Sequence, residues 1–116
     1  MIVPERWADE WLDAWARRDL DAILALYADN VEVRSPFAKV YAQGGSIRGK
    51  AALREYWQEI MRRIPNLTLQ KIAVYSGHDA LALHHRDDHG RNCIMSVVFD
   101  DCGNAVLQTG CFDRLR

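Results

Sequence analysis

Apolar residues recur at helical spacing through the first 64 residues and switch to strict alternation from residue 67 onward. Trp7, Trp11 and Trp15 repeat four apart beside Ala8 and Leu12, and Pro4 suits a first helical turn. A helix is predicted over residues 4–18, with Arg17 and Arg18 at the negative end of its dipole. Asp19 reads as the N-cap of a second helix, DLDAILALYAD, with Leu20, Ile23, Leu24 and Tyr27 on one side. A short strand, VEVRS, follows and is broken by Pro36. The stretch from Phe37 to Arg48 is irregular, and Gly44-Gly45-Ser46 within it reads as a flap. After Gly49, KAALREYWQEIMRRI carries the stripe Leu53, Tyr56, Trp57, Ile60 and Ile64, with Glu59 and Arg63 paired one turn apart, and Pro65 closes it.

Four alternating runs complete the chain: LTLQKIAVY, ALALHHRD, NCIMSVVF and AVLQTGCF. The links SGHD, DHGR and DDCGN are short enough for hairpins, so these runs form an antiparallel meander. Three helices followed by strands make an α+β pattern. At 116 residues, without repeats or linkers, the chain reads as one domain, 1–116. Period-two alternation puts Leu81, Leu83, His85 and Asp87 on one face, with Met95, Val97, Phe99 and Phe112. Ile94, Val98, Leu107 and Cys111 then face outward, and an apolar outer face calls for cover, most simply from a second copy in a two-fold homodimer.

A net charge of -1 with mixed signs argues against nucleic-acid binding. No apolar run is long enough for a membrane helix and the N-terminus lacks a signal-peptide pattern, so a cytoplasmic protein is expected. Cys93, Cys102 and Cys111 include no CxxC pair and read as reduced thiols without a catalytic role. His84, His85 and His89 with Asp87 or Asp88 make a poor metal set, because adjacent strand residues point to opposite faces. The glycines before Arg48 and Lys50 lack the spacing of a phosphate loop. No cofactor is expected.

The phrases DLDAILALYADNVEVRSPF, GKAALREYW and VVFDDCGNAVLQTGCFD, in this order, resemble the nuclear transport factor 2-like superfamily, and within it the SnoaL-like group that includes polyketide cyclases. The resemblance implies a cone: a curved mixed or antiparallel sheet packed on three helices around a pocket. Ketosteroid isomerases of this superfamily carry a base after the first strand and two acidic donors. The matching positions here are Ser35, Trp11 and Met95, which disfavours that chemistry. Against the Asp-Arg-Asp trio of limonene-epoxide-hydrolase-like members, the nearest residues are His85 and Asp87, with Gly110 in place of the last acid.

The candidates are therefore His85 as general base, Asp87 as its orienting partner and Ser35 at the pocket mouth. Each has a plainer reading. HHRDDHG is also what a solvated hairpin end looks like, and a serine before proline often satisfies its own turn. Asp113 reads as a turn partner. Trp11, Trp15, Phe37, Trp57, Met95 and Phe112 are the expected pocket walls, with Gln108 as an isolated polar contact. Three uses remain open: an acid-base enzyme (cyclase, isomerase, dehydratase or epoxide hydrolase type) on an apolar or aromatic molecule, a non-catalytic binder of such a molecule, or an interaction module working through its outer sheet face.

Overall fold

The computed structural model describes residues 2–40 and 43–115, and the side chains of all of these except Val40 and Gln43. Helix α1 spans Pro4–Ala16 and buries Trp7, Ala8, Trp11, Ala14 and Trp15, the face that the spacing of its tryptophans dictates. It ends two residues before the predicted limit, because Arg18 turns to φ 56°. The Arg18 guanidinium donates to the carbonyls of Trp15, Pro65 and Leu67. One side chain thus closes α1 and fastens it to the segment that enters the meander.

Helix α2 is only Leu20–Leu24, capped as expected by the Asp19 carboxylate, which accepts from the Ala22 N–H at 3.0 Å. Ala25 and Leu26 then turn, and the predicted second helix is strand from Tyr27 onward. β1 runs Tyr27–Arg34 because Tyr27 pairs in parallel register with Ala105, and the Ala105 N–H donates to the Leu26 carbonyl. This long-range pairing overrides the local helical pattern of YADN. β1 is irregular between Tyr27 and Glu32, where its register against the last strand shifts.

The predicted flap is held in place. Gly44 and Gly45 take φ of +72° and +73°, the Gly45 carbonyl accepts from the Ser35 N–H, and Ser46–Arg48 forms a short edge strand, β2, antiparallel to β1. The Ser46 hydroxyl adds a bond to Glu32 at 2.7 Å. Helix α3, Lys50–Arg63, buries Leu53, Tyr56 and Trp57. Strands β3 (Leu69–Gly77), β4 (Ala80–Asp87), β5 (Asn92–Phe99) and β6 (Ala105–Phe112) form the antiparallel meander.

The sheet order is β2-β1-β6-β5-β4-β3, mixed through the single parallel pair β1/β6. Its concave face carries Leu81, Leu83, His85, Met95, Val97 and Phe99, all buried against the helices. Trp7 fills the space over Tyr27 and Phe99 edge-on, at ring separations of 5.9 and 5.3 Å. It belongs to the solid half of the core; the other three tryptophans stand further along the cone. On the convex face Ile94, Val98 and Tyr75 are exposed. No helix among the described residues is long and apolar enough to cross a membrane.

Candidate functional site

Between α1, α3 and the concave sheet lies a cavity of about 330 Å³. Trp11, Trp15, Tyr56 and Trp57 wall it from the helices, and Val33, Cys93, Met95 and Gln108 from the sheet. The exposed Arg34, Arg63 and Ile64 mark its rim. Its aromatic wall is continuous: Trp11 and Trp15 tilt against each other at 5.9 Å, and Trp57 stands edge-on to Trp15 at 5.6 Å and to Tyr27 at 5.1 Å. Each ring packs edge-on or tilted against its neighbour, an arrangement that favours a fixed wall around the hollow.

Trp11, Trp15, Phe37, Trp57, Met95, Gln108 and Phe112 line this space, together with Ser35, His85 and Asp87. His85 projects inward from the end of β4 because it is two and four residues beyond Leu83 and Leu81 on the same pleat. It is 7% exposed, with its ring 5.6 Å from that of Trp11. Burial, reinforced by the neighbouring His84, pulls its pKa from 6.5 down to about 4, so the ring is neutral at physiological pH. Its Nδ1 is buried without a hydrogen-bond partner among the described residues. His84 faces the other way and bonds Asn92 at 2.8 Å.

Asp87 shares the cavity wall, but it is committed elsewhere than to His85. Its Oδ1 accepts from the backbone N–H groups of His89 and Arg91 at 2.9 and 3.0 Å, and its Oδ2 from the Arg91 guanidinium at 3.3 Å. Burial alone would raise the Asp87 pKa; these bonds outweigh it and hold the carboxylate below its ordinary range. The orienting role expected for Asp87 is thus replaced by a turn-closing one, since both oxygens are occupied within the β4–β5 hairpin. Ser35 also works locally: its Oγ accepts from the Phe37 N–H at 3.2 Å, closing the turn into a short 3-10 helix, Pro36–Val40. Asp113 pairs with the Asn92 amide and backbone N–H, a turn partner.

Two features escaped the sequence reading. Arg91 lies over Phe37 at 4.7 Å and near Phe112 at 5.7 Å, forming a cationic lip held by Asp87. The visible signal was the Asp87/Arg91 spacing across a tight hairpin; the aromatic partners Phe37 and Phe112 lie far from Arg91 in sequence, on either side of it. Tyr27 was placed on the apolar stripe of a helix. Its hydroxyl instead accepts from Trp11 Nε1 at 2.9 Å and donates to Gln108 Oε1. Cys93, on the same wall, is buried and its thiol is pushed up to about 12 by desolvation, so it packs as an apolar group. Among the described residues no group of three His, Cys, Asp or Glu is placed to hold a metal ion.

Known structures share this architecture. A SnoaL-like protein of unknown function from Burkholderia thailandensis superposes with a TM-score of 0.91 at 34% identity, over 98% of this chain and all of that one. An NTF2-like protein of unknown function from Burkholderia pseudomallei matches with a TM-score of 0.74 at 21% identity, over 97% of this chain and 92% of its own. TerC, crystallised with polyporic acid, matches with a TM-score of 0.77 at 18% identity, over 95% of this chain and 91% of its own. No curated protein matches the sequence. The SnoaL-like domain family matches residues 8–99, and with an aromatic-walled cone of this topology the chain belongs to the SnoaL-like family.

Proposed function

We propose that the protein is a small-molecule enzyme of the acid-base kind, which encloses an apolar or aromatic substrate in the aromatic cavity and uses His85 as proton acceptor. The observation that carries this reading is a single imidazole, neutral at physiological pH and buried on the wall of an otherwise apolar hollow. A desolvated neutral histidine is a base without a competing water shell, and contact with the substrate positions it for proton transfer. That TerC, a protein of this fold, was co-crystallised with polyporic acid supports a small organic ligand here.

A second reading, a binder without catalysis, is favoured by the commitment of Asp87 to Arg91, which leaves His85 without a carboxylate to orient it. Under either reading the exposed Ile94 and Val98 suit a homodimer packed through the convex sheet face.

A carbon acid of suitable size separates the two readings. With 2-tetralone in D2O, the enzyme reading expects exchange at the activated carbon above the buffer background. His85→Ala should lower that exchange at least ~100-fold while binding persists. Binding with equal exchange in both proteins supports the second reading, and absence of binding removes both.

A further inference from the structure

Gln108 is 6% exposed and stands on the cavity wall from the middle of β6. A side-chain amide can turn either end toward a ligand, and which end it presents decides what the site recognises. Here the choice is made by two other side chains. An indole N–H only donates, so Trp11 Nε1 at 2.9 Å makes the Tyr27 oxygen an acceptor. Tyr27 is fully buried and desolvation keeps its phenol protonated, far above the ordinary range. Its one proton therefore points on to Gln108, whose carbonyl end, Oε1, receives it. The chain Trp11 to Tyr27 to Gln108 runs in one direction; with the amide reversed, the Tyr27 oxygen would have to accept twice and its proton would lose the acceptor it has here. The Gln108 Nε2 group is left with no acceptor among the described residues, on a wall whose other members are mostly hydrocarbon.

From this directionality we infer that Gln108 is a fixed hydrogen-bond donor for the ligand, and that the cavity takes apolar ring systems bearing a carbonyl or enolate oxygen in preference to plain hydrocarbons. This rests on the proposed use of the cavity as a ligand site, and adds the functional group that the ligand must carry. An apolar molecule without such an oxygen would cover the amide N–H and leave it unpaired, and a buried unpaired donor is the costly case. Along β6, Gly110 and Phe112 follow Gln108 on the same face, and Phe112 pairs with Cys93 and through it with His85. The donor and the imidazole therefore occupy different rows of the sheet, with Met95 and Gly110 in the row between them.

The test compares 2-tetralone with tetralin, which has the same rings and no carbonyl. Their dissociation constants are measured by quenching of tryptophan fluorescence for the native protein, Gln108→Leu and Tyr27→Phe. Dividing the tetralin-to-tetralone ratio of the native protein by that of a variant cancels the unequal water solubility of the two molecules. The expected quotient is about tenfold for Gln108→Leu, the worth of one buried hydrogen bond and the penalty avoided with it. It should be smaller but above one for Tyr27→Phe, where the amide is present but free to turn. Circular dichroism establishes that each variant is folded. A quotient of one for Gln108→Leu, with both compounds bound, overturns the donor role and leaves the cavity reading intact. If neither compound binds the native protein, the cavity reading fails and the donor role with it.

Discussion

Replacing His85 by leucine should remove a specific part of the acid sensitivity of the fold. In the native structure the imidazole is buried and titrates at about 4, whereas in the unfolded chain it titrates near 6.5. Between those values the unfolded state binds a proton that the folded state refuses, so stability falls as pH drops from 6.5 toward 4 and is unaffected by this group above 6.5. At about 1.4 kcal/mol per pH unit, the full traverse amounts to about 3 kcal/mol, most of it already developed at pH 4.5. His85→Leu has no such proton to refuse. At pH 7.5 it should be as stable as the native protein or more so, because the unpartnered Nδ1 goes with the ring. Urea denaturation followed by tryptophan fluorescence at pH 7.5, 6.5, 5.5 and 4.5 measures both proteins. The surface carboxylates titrate in both and cancel in the difference. The difference in unfolding free energy should move by about 2–3 kcal/mol in favour of the variant between pH 7.5 and 4.5. Parallel acid curves would show that His85 is hydrated, and would remove the basis for treating it as a desolvated base.

Three further outcomes follow from neighbouring features. Arg91→Met removes the guanidinium from Asp87 and from the face of Phe37, and should cost about 1–2 kcal/mol in urea denaturation; the Asp87 carboxyl should titrate higher by NMR. Gly45→Ala places a Cβ 3.0 Å from the Ser35 carbonyl at a φ of +73°, and should lower stability by about 1–2 kcal/mol; an unchanged melting temperature would mean that this turn is not pinned to β1. Val98→Lys, on the convex face, should convert the proposed dimer to monomer in sedimentation without loss of fold, whereas a monomeric native protein would remove the dimer outright.

The side of the sheet on which each residue falls was legible wherever a strand is half-buried, because a period of two admits one in-facing set. His85, Met95 and Phe112 were placed in this way, as were the outward Ile94 and Val98. The tryptophan spacing in α1 was equally plain, since a repeat of four leaves one helical face to bury. What stayed hidden depends on contacts distant in sequence. YADN has a helix-compatible pattern and becomes strand through pairing with Ala105, and the three residues of β2 are too few to show a period. The same distance hid the cavity chemistry: Tyr27 meets Gln108 across 81 positions, and Arg91 meets Phe37 through the closure of the cone. Asp87 illustrates a subtler limit. Its face was read correctly, but a carboxylate at a hairpin end is captured by the turn's own N–H groups before it can serve a neighbour.

Intermolecular NOEs between 2-tetralone and the labelled protein test most directly whether the aromatic hollow is a ligand site. The ring protons of 2-tetralone should show NOEs to the indoles of Trp11 and Trp57, the imidazole of His85 and the methyl of Met95. NOEs confined to Ile94, Val98 and Tyr75 on the convex face, or none at all at saturating ligand, would contradict it.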